Sequence, residues 1–213
     1  AKINKTGGII WKKILGGNNG DIFRSIIQTV DGGFAVLGNT SSSDGDIAFN
    51  NGGSDLWIVK LDETGEIEWQ ECLGGSGDEY GNSIHQTADG GYLLCGQTDS
   101  DDGDVSGTHD TYYGDMWIVK LSSNGTIEWQ KALGGSMEDS AYSGMQTSDG
   151  GYIVAGMTGS DDGDVSGYHG YGDVWILKLD QTGSIEWENA LGGTDTEAAL
   201  SVFQSADGGY VVA

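Results

Sequence analysis

Short apolar stretches with period-two alternation run along the whole chain, separated by clusters rich in Asp, Gly and Ser. Within one stretch of sequence the pattern predicts four strands, Ser83–Thr87, Tyr92–Gln97, Trp117–Leu121 and Ile127–Ala132. Alternation over so few residues, bounded by turn formers, is the signature of strands. No segment repeats apolar residues at i, i+3, i+4 and i+7 over the length a helix needs, so the chain reads as all-β. The Asp89-Gly90-Gly91 sequence between the first two strands supplies the positive φ angles of a tight antiparallel hairpin. A second hairpin, with its loop at 62–66, predicts Leu61 opposite Ile67, Lys60 opposite Glu68 and Val59 opposite Trp69. That register puts Trp57, Val59, Leu61, Ile67 and Trp69 on one apolar face. The Lys–Glu pairing recurs as Lys120–Glu128 and Lys178–Glu186.

The pattern repeats. Asp-Gly-Gly begins at Asp31, Asp89, Asp149 and Asp207, with spacings of 58, 60 and 58 residues. Leu-Gly-Gly begins at Leu15, Leu73, Leu133 and Leu191, with the same spacings. Two markers on one period define a repeat architecture. Four-stranded antiparallel units with an apolar aromatic face predict an all-β β-propeller of ~58-residue blades. The blades are expected at about 24–73, 82–133 and 141–191, with half blades at 1–16 and 200–213, in a single domain over 1–213. The first half blade carries third and fourth strands and the last carries first and second strands. Closure of the two halves as a fourth blade, a piece of a larger propeller, and two chains combining all remain open at this level. Because Ala1 aligns with Val59, inside a repeat, a piece of a longer protein is one expectation.

Composition narrows the partners. The chain has 39 glycines and no proline, with glycine at repeated turn positions. Lys and Arg number 9 against 33 Asp and Glu, a formal charge of −24, which repels nucleic acid and anionic lipid and attracts cations. No run of 18 apolar residues is present, so no helical membrane insertion is expected. Cys72 and Cys95 stand where other repeats hold apolar side chains, and are expected as buried free thiols.

The candidate chemistry lies in the long loops between second and third strands. Asp99, Asp101, Asp102 and Asp104 recur as Asp161, Asp162 and Asp164, and in reduced form as Asp44 and Asp46. Oxygen ligands one residue apart, with a glycine for the sharp turn, suit Ca2+. The competing reading is an acidic turn whose Asp and Ser side chains bond local backbone. His109 and His169 lie in different repeats with no partner at zinc-ligand spacing. Gln28, Gln86, Gln146 and Gln204 occur in all four copies, and either line a channel or bond neighbouring backbone to join blades. No nucleophile–base pair or phosphate-binding loop is visible, and no catalytic residue is nominated.

Three phrases carry a family likeness: Trp57 to Gly65, Ile67 to Ser76 and Ser148 to Gly156. They resemble the β-propeller repeats of bacterial and archaeal secreted or cell-surface proteins, most closely at the Leu-Gly-Gly-Ser and Asp-Gly-Gly-Tyr turns. The resemblance implies a propeller and an extracellular or cell-surface setting, and no shared activity or site. The expectation is therefore a non-catalytic module for adhesion, scaffolding or ligand binding, meeting protein or carbohydrate at a surface. Further domains of a longer chain or a second copy are expected partners, and Ca2+ an expected loop ligand. The alternatives are a glycan-acting hydrolase or lyase with its site at the channel mouth, and a structural subunit of a sheath or filament.

Overall fold

The computed structural model describes residues 1–213, all of them in strands, turns and loops, with no helix. No helix is therefore long and apolar enough to cross a membrane. In chain order, β1 (Lys2–Ile3) and β2 (Ile9–Trp11) form a two-stranded hairpin. Sheet I follows as β3 (Asp21–Gln28), β4 (Phe34–Thr40), β5 (Asp55–Leu61) and β6 (Ile67–Leu73). Sheet II is β7 (Glu79–Gln86), β8 (Tyr92–Thr98), β9 (Asp115–Leu121) and β10 (Ile127–Leu133). Sheet III is β11 (Asp139–Gln146), β12 (Tyr152–Thr158), β13 (Asp173–Leu179) and β14 (Ile185–Leu191). A last hairpin pairs β15 (Val202–Gln204) with β16 (Tyr210–Val212). Every sheet is antiparallel in sequential order, so each strand lies beside its chain neighbour.

The sheets pack in series. β7 lies against β3, β4 and β5, β11 against β7, β8 and β9, and β15 against β11 and β12. Each interior sheet thus buries both faces, which is why β5 and β9 are buried along their whole length. Between sheets I and II, Leu37, Leu56 and Ile58 meet Tyr92, Leu94, Trp117 and Val119. Between II and III, Leu93, Met116 and Ile118 meet Val154, Trp175 and Leu177 in the same way. Alternate residues of one strand therefore serve two different cores, as the period of a strand requires. Cys72 and Cys95 are both free and buried, and burial pushes each thiol up to about 12.

The second hairpin departs from the expected register. Leu61 does oppose Ile67, but Lys60 opposes Trp69 and Val59 opposes Gln70, because a bulge at Glu68 inserts one residue. The extra residue moves Trp69 to the opposite face, where its ring meets Tyr92 of the next sheet at 5.7 Å. The same bulge recurs in sheets II and III. The Lys–Glu pairing survives it, with Lys60 Nζ 2.6 Å from Glu68 Oε2. A bulge of this kind re-aims a side chain without breaking the sheet. The first strands also begin earlier than the alternation suggested, at Asp21, Glu79 and Asp139.

Each Asp-Gly-Gly turn is built by its own aspartate. Asp31 Oδ1 accepts hydrogen bonds from Thr29 Oγ1 and Gly33 N, while Gly32 takes φ of 89°. Its second oxygen, Oδ2, pairs with Lys60 Nζ at 2.9 Å, and Lys60 is only 3% exposed. Asp89–Lys120 and Asp149–Lys178 repeat the arrangement at 3.0 and 3.1 Å. Two carboxylates per lysine, Asp31 and Glu68 in sheet I, keep a buried ammonium charged against its desolvation.

Candidate functional site

Each acidic loop closes a turn of its own, with Val105 N donating to Asp102 O (3.0 Å), but its carboxylates point elsewhere. They reach back to the Leu-Gly-Gly turn that ends the preceding repeat and receive its backbone amides. At the junction of sheets I and II, Gly74 N donates to Asp104 Oδ2 (3.2 Å) and Gly75 N to Glu79 Oε2 (2.9 Å). Next, Ser76 N donates to Asp102 Oδ1 (2.7 Å) and Gly77 N to Ser100 Oγ (2.8 Å). Between sheets II and III the donors Gly134, Gly135, Ser136 and Met137 find Asp164, Asp139, Asp162 and Ser160. At the first junction Gly16, Gly17, Asn18 and Asn19 find Asp46, Asp21, Asp44 and Ser42. Four successive amides are thus each taken by a separate side chain of the next repeat, three carboxylates and one serine hydroxyl.

The glycines are required by this closeness. A Cβ on Gly75 would sit 2.4 Å from Asp102 Oδ1, and one on Gly74 2.1 Å from Glu79 Oε2. Gly103, at φ of 65°, lets the loop turn so that a backbone bond from Asp104 N to Gly74 O (3.0 Å) closes the contact from the other side. The resulting clasp is a property of the Leu-Gly-Gly marker and the acidic loop together, two features of the sequence that look unrelated until they meet.

Of the nine aspartates nominated as metal ligands, six belong to the clasps: Asp44, Asp46, Asp102, Asp104, Asp162 and Asp164. Asp101 and Asp161 are exposed and take no part. Asp99 lies behind the loop, with its carboxyl pushed up to about 6 by burial and by the charges of Asp78, Glu79 and Glu138. No group of three or more His, Cys, Asp or Glu side chains is arranged to hold a metal ion. The six clasp aspartates direct an oxygen at separate backbone amides rather than at a common point.

Buried carboxylates lie beside Gly74 and Gly134 of two clasps and beside Gly192 of the fourth Leu-Gly-Gly turn. Asp55, Glu79, Asp115, Asp139 and Asp173 are fully buried. Burial raises Asp55 and Asp139 to about 6, helped for Asp55 by Glu79 and Asp104 and for Asp139 by Asp115. His109 and His169 each place Nδ1 2.9 Å from an aspartate, Asp115 and Asp173 respectively. Burial pulls the His109 pKa down, but Asp115 and Asp164 outweigh it and the net shift is upward. Asp55, Asp115 and Asp173 are the first residues of β5, β9 and β13.

The glutamines join sheets. Val30 N donates to Gln86 Oε1 (2.9 Å), Ala88 N to Gln146 Oε1 (2.8 Å) and Ser148 N to Gln204 Oε1 (2.8 Å). Each glutamine is thus held by the turn of the sheet before it, so the backbone-bonding alternative describes these residues.

No family model matches the sequence, and no curated protein matches it. Among solved structures, the chain is similar to a protein of unknown function from Bacteroides caccae. The likeness covers 88% of this chain and 73% of that one, at 11% identity and a TM-score of 0.46.

What the clasps leave unused is the outer part of the same loops. Phe49, Tyr112 and Tyr171 are 53%, 81% and 85% exposed, and Tyr113 packs edge-on against Tyr112 at 4.8 Å between ring centres. Asp110 Oδ1 accepts hydrogen bonds from the backbone amides of Tyr112 (2.6 Å) and Tyr113 (3.2 Å).

Proposed function

We propose that this chain is a β-propeller-type array of blades that acts as a non-catalytic binding or scaffolding module, outside the cell or on its surface. One observation carries the reading. The polar groups that stand out in the sequence are spent on contacts repeated from junction to junction, as a scaffold requires. A catalytic centre instead needs an unrepeated constellation converging on one place. The groups left for a ligand are the exposed aromatics of the long loops, Phe49, Tyr112, Tyr113 and Tyr171. Aromatic rings flanked by carboxylates suit a carbohydrate, whose apolar ring face stacks on tyrosine while its hydroxyls donate to aspartate. The net charge of −24 favours neutral or basic partners over anionic ones.

Glycan-array binding by the 213-residue protein, followed by Tyr112→Ala and Tyr171→Ala on any hit, tests the reading. Binding that falls at least about tenfold in the variants, with an unchanged melting temperature, supports it. Binding that ignores both tyrosines, or turnover of a bound glycan, counts against it.

A further inference from the structure

The third strand of each sheet opens on an aspartate that the fold buries completely: Asp55, Asp115 and Asp173 are each 0% exposed. In all three, Oδ1 has no hydrogen-bond partner, while Oδ2 accepts the backbone amide of a loop residue, Asn51, His109 or His169. Burying a carboxylate as an anion is costly unless it is paired or coordinates a cation. Two of the three meet an imidazole. His109 Nδ1 lies 2.9 Å from Asp115 Oδ2, and His169 Nδ1 lies 2.9 Å from Asp173 Oδ2. At Asp55 the corresponding residue is Asn51, which brings its amide N–H and no charge.

Nothing else around Asp55 makes up the difference. The charged groups that act on it are Glu79 and Asp104, both negative, with no basic side chain among them. Glu79 is also 0% exposed and enters from β7, the first strand of the next sheet. Its Oε1 accepts from Thr98 Oγ1 (2.7 Å) and its Oε2 from Gly75 N (2.9 Å), both neutral donors.

The two carboxylates converge on one place. Asp55 Oδ1 and Glu79 Oε2 lie 2.7 and 2.1 Å from the point where a Cβ on Gly74 would stand. They are therefore less than about 5 Å apart, which is the reach of one Ca2+ holding each oxygen at ~2.3–2.6 Å. Carboxylate oxygens select a hard cation of this kind over a softer metal. An unpartnered buried oxygen, a second carboxylate at bridging distance and the lack of any positive group thus coincide between sheets I and II.

We propose that Asp55 and Glu79 together bind one Ca2+ at this junction, supplying the positive charge that an imidazole can supply beside Asp115 and Asp173. The site uses two carboxylates, neither of them among the acidic-loop aspartates that hold backbone amides. In calcium-free solution the pair is left to protons, which relieve it as pH falls. The proposal does not rest on any ligand at the loop aromatics.

Titration calorimetry of Ca2+ into the chelator-treated protein tests it, with Asp55→Asn, Asn51→His and Asp101→Asn beside the wild type. One saturable site per chain is expected, with Kd below about 1 mM. Asp55→Asn keeps an acceptor for the Asn51 amide but removes the charge, and should weaken binding at least about tenfold. Asn51→His restores the four-residue spacing of His169 and Asp173, so at about pH 6.5 it should weaken calcium binding and raise the melting temperature in EDTA. Asp101→Asn, at an exposed loop position, should leave the site unchanged. Absence of saturable binding below about 1 mM overturns the proposal. So does binding that Asp55→Asn leaves intact, as diffuse attraction to a chain of charge −24 would give. Should Asp55→Asn fail to fold, unchanged calcium affinity in Asn51→His overturns it instead.

Discussion

Replacing Asp102 with alanine separates a clasp from a cation site. Asp102 Oδ1 receives the Ser76 amide at 2.7 Å, while Asp101 beside it is exposed and contacts no part of the turn. A hydrogen bond to a charged group contributes about 1.5–3 kcal/mol in mutational series. Ser76 and Asp102 are both exposed, so water can reach the freed amide, and the expected cost is about 1–2 kcal/mol. For a chain of this size that is roughly 2–8 °C in melting temperature. Asp101→Ala should stay within about 0.5 kcal/mol of wild type, as ordinary surface substitutions do. Asp102→Asn keeps an oxygen acceptor without the charge and should fall between the two. Urea unfolding of the three variants, in EDTA and again in calcium, reads the result. Asp101→Ala costing as much as Asp102→Ala, with both effects present only in calcium, would refute the reasoning.

Three other outcomes follow from the same structure. Asp55 and Asp139 are raised to about 6, so their burial penalty is present above that pH and is relieved as they protonate. Unfolding free energy should rise by about 1–3 kcal/mol per group as pH falls from 7.5 to 5. Below about 4 it should fall again as Asp31, Asp89 and Asp149, held near 2, lose their charge; stability that declines steadily from pH 7.5 to 5 would contradict this. Gly125→Ala places a Cβ 3.0 Å from the Trp69 ring at φ of 88°, and should cost about 1–3 kcal/mol in chemical denaturation. Cys72 and Cys95 should resist a thiol-reactive chromogen until the protein unfolds, and fast reaction at neutral pH would be inconsistent with their burial.

The strands and hairpins were legible because alternation and turn residues act locally: Asp89-Gly90-Gly91 specifies a hairpin wherever it is placed. The bulge at Glu68 was not, since nothing in Ile67-Glu68-Trp69 distinguishes a bulged residue from a paired one; the next sheet's Tyr92 decides where Trp69 points. The acidic loops were found, but the amides that bond them were not: these lie 30 residues upstream for Asp46, Asp104 and Asp164. One signal was available: the Leu-Gly-Gly turn and the last loop aspartate keep a constant offset in all three copies, as parts that touch must. The buried lysines were legible only by half, as partners of Glu68, Glu128 and Glu186. Their second carboxylate comes from a turn across the sheet.

Amide hydrogen exchange in EDTA tests the clasp most directly. The account predicts slow exchange at Gly75, Ser76 and Gly77 and at Gly135, Ser136 and Met137, whose hydrogens are held by the next repeat. Thr194 and Asp195, whose amides bond no acceptor in this structure, should exchange freely. Ser76 and Ser136 exchanging as fast as Thr194, with protection appearing only when calcium is added, would contradict it.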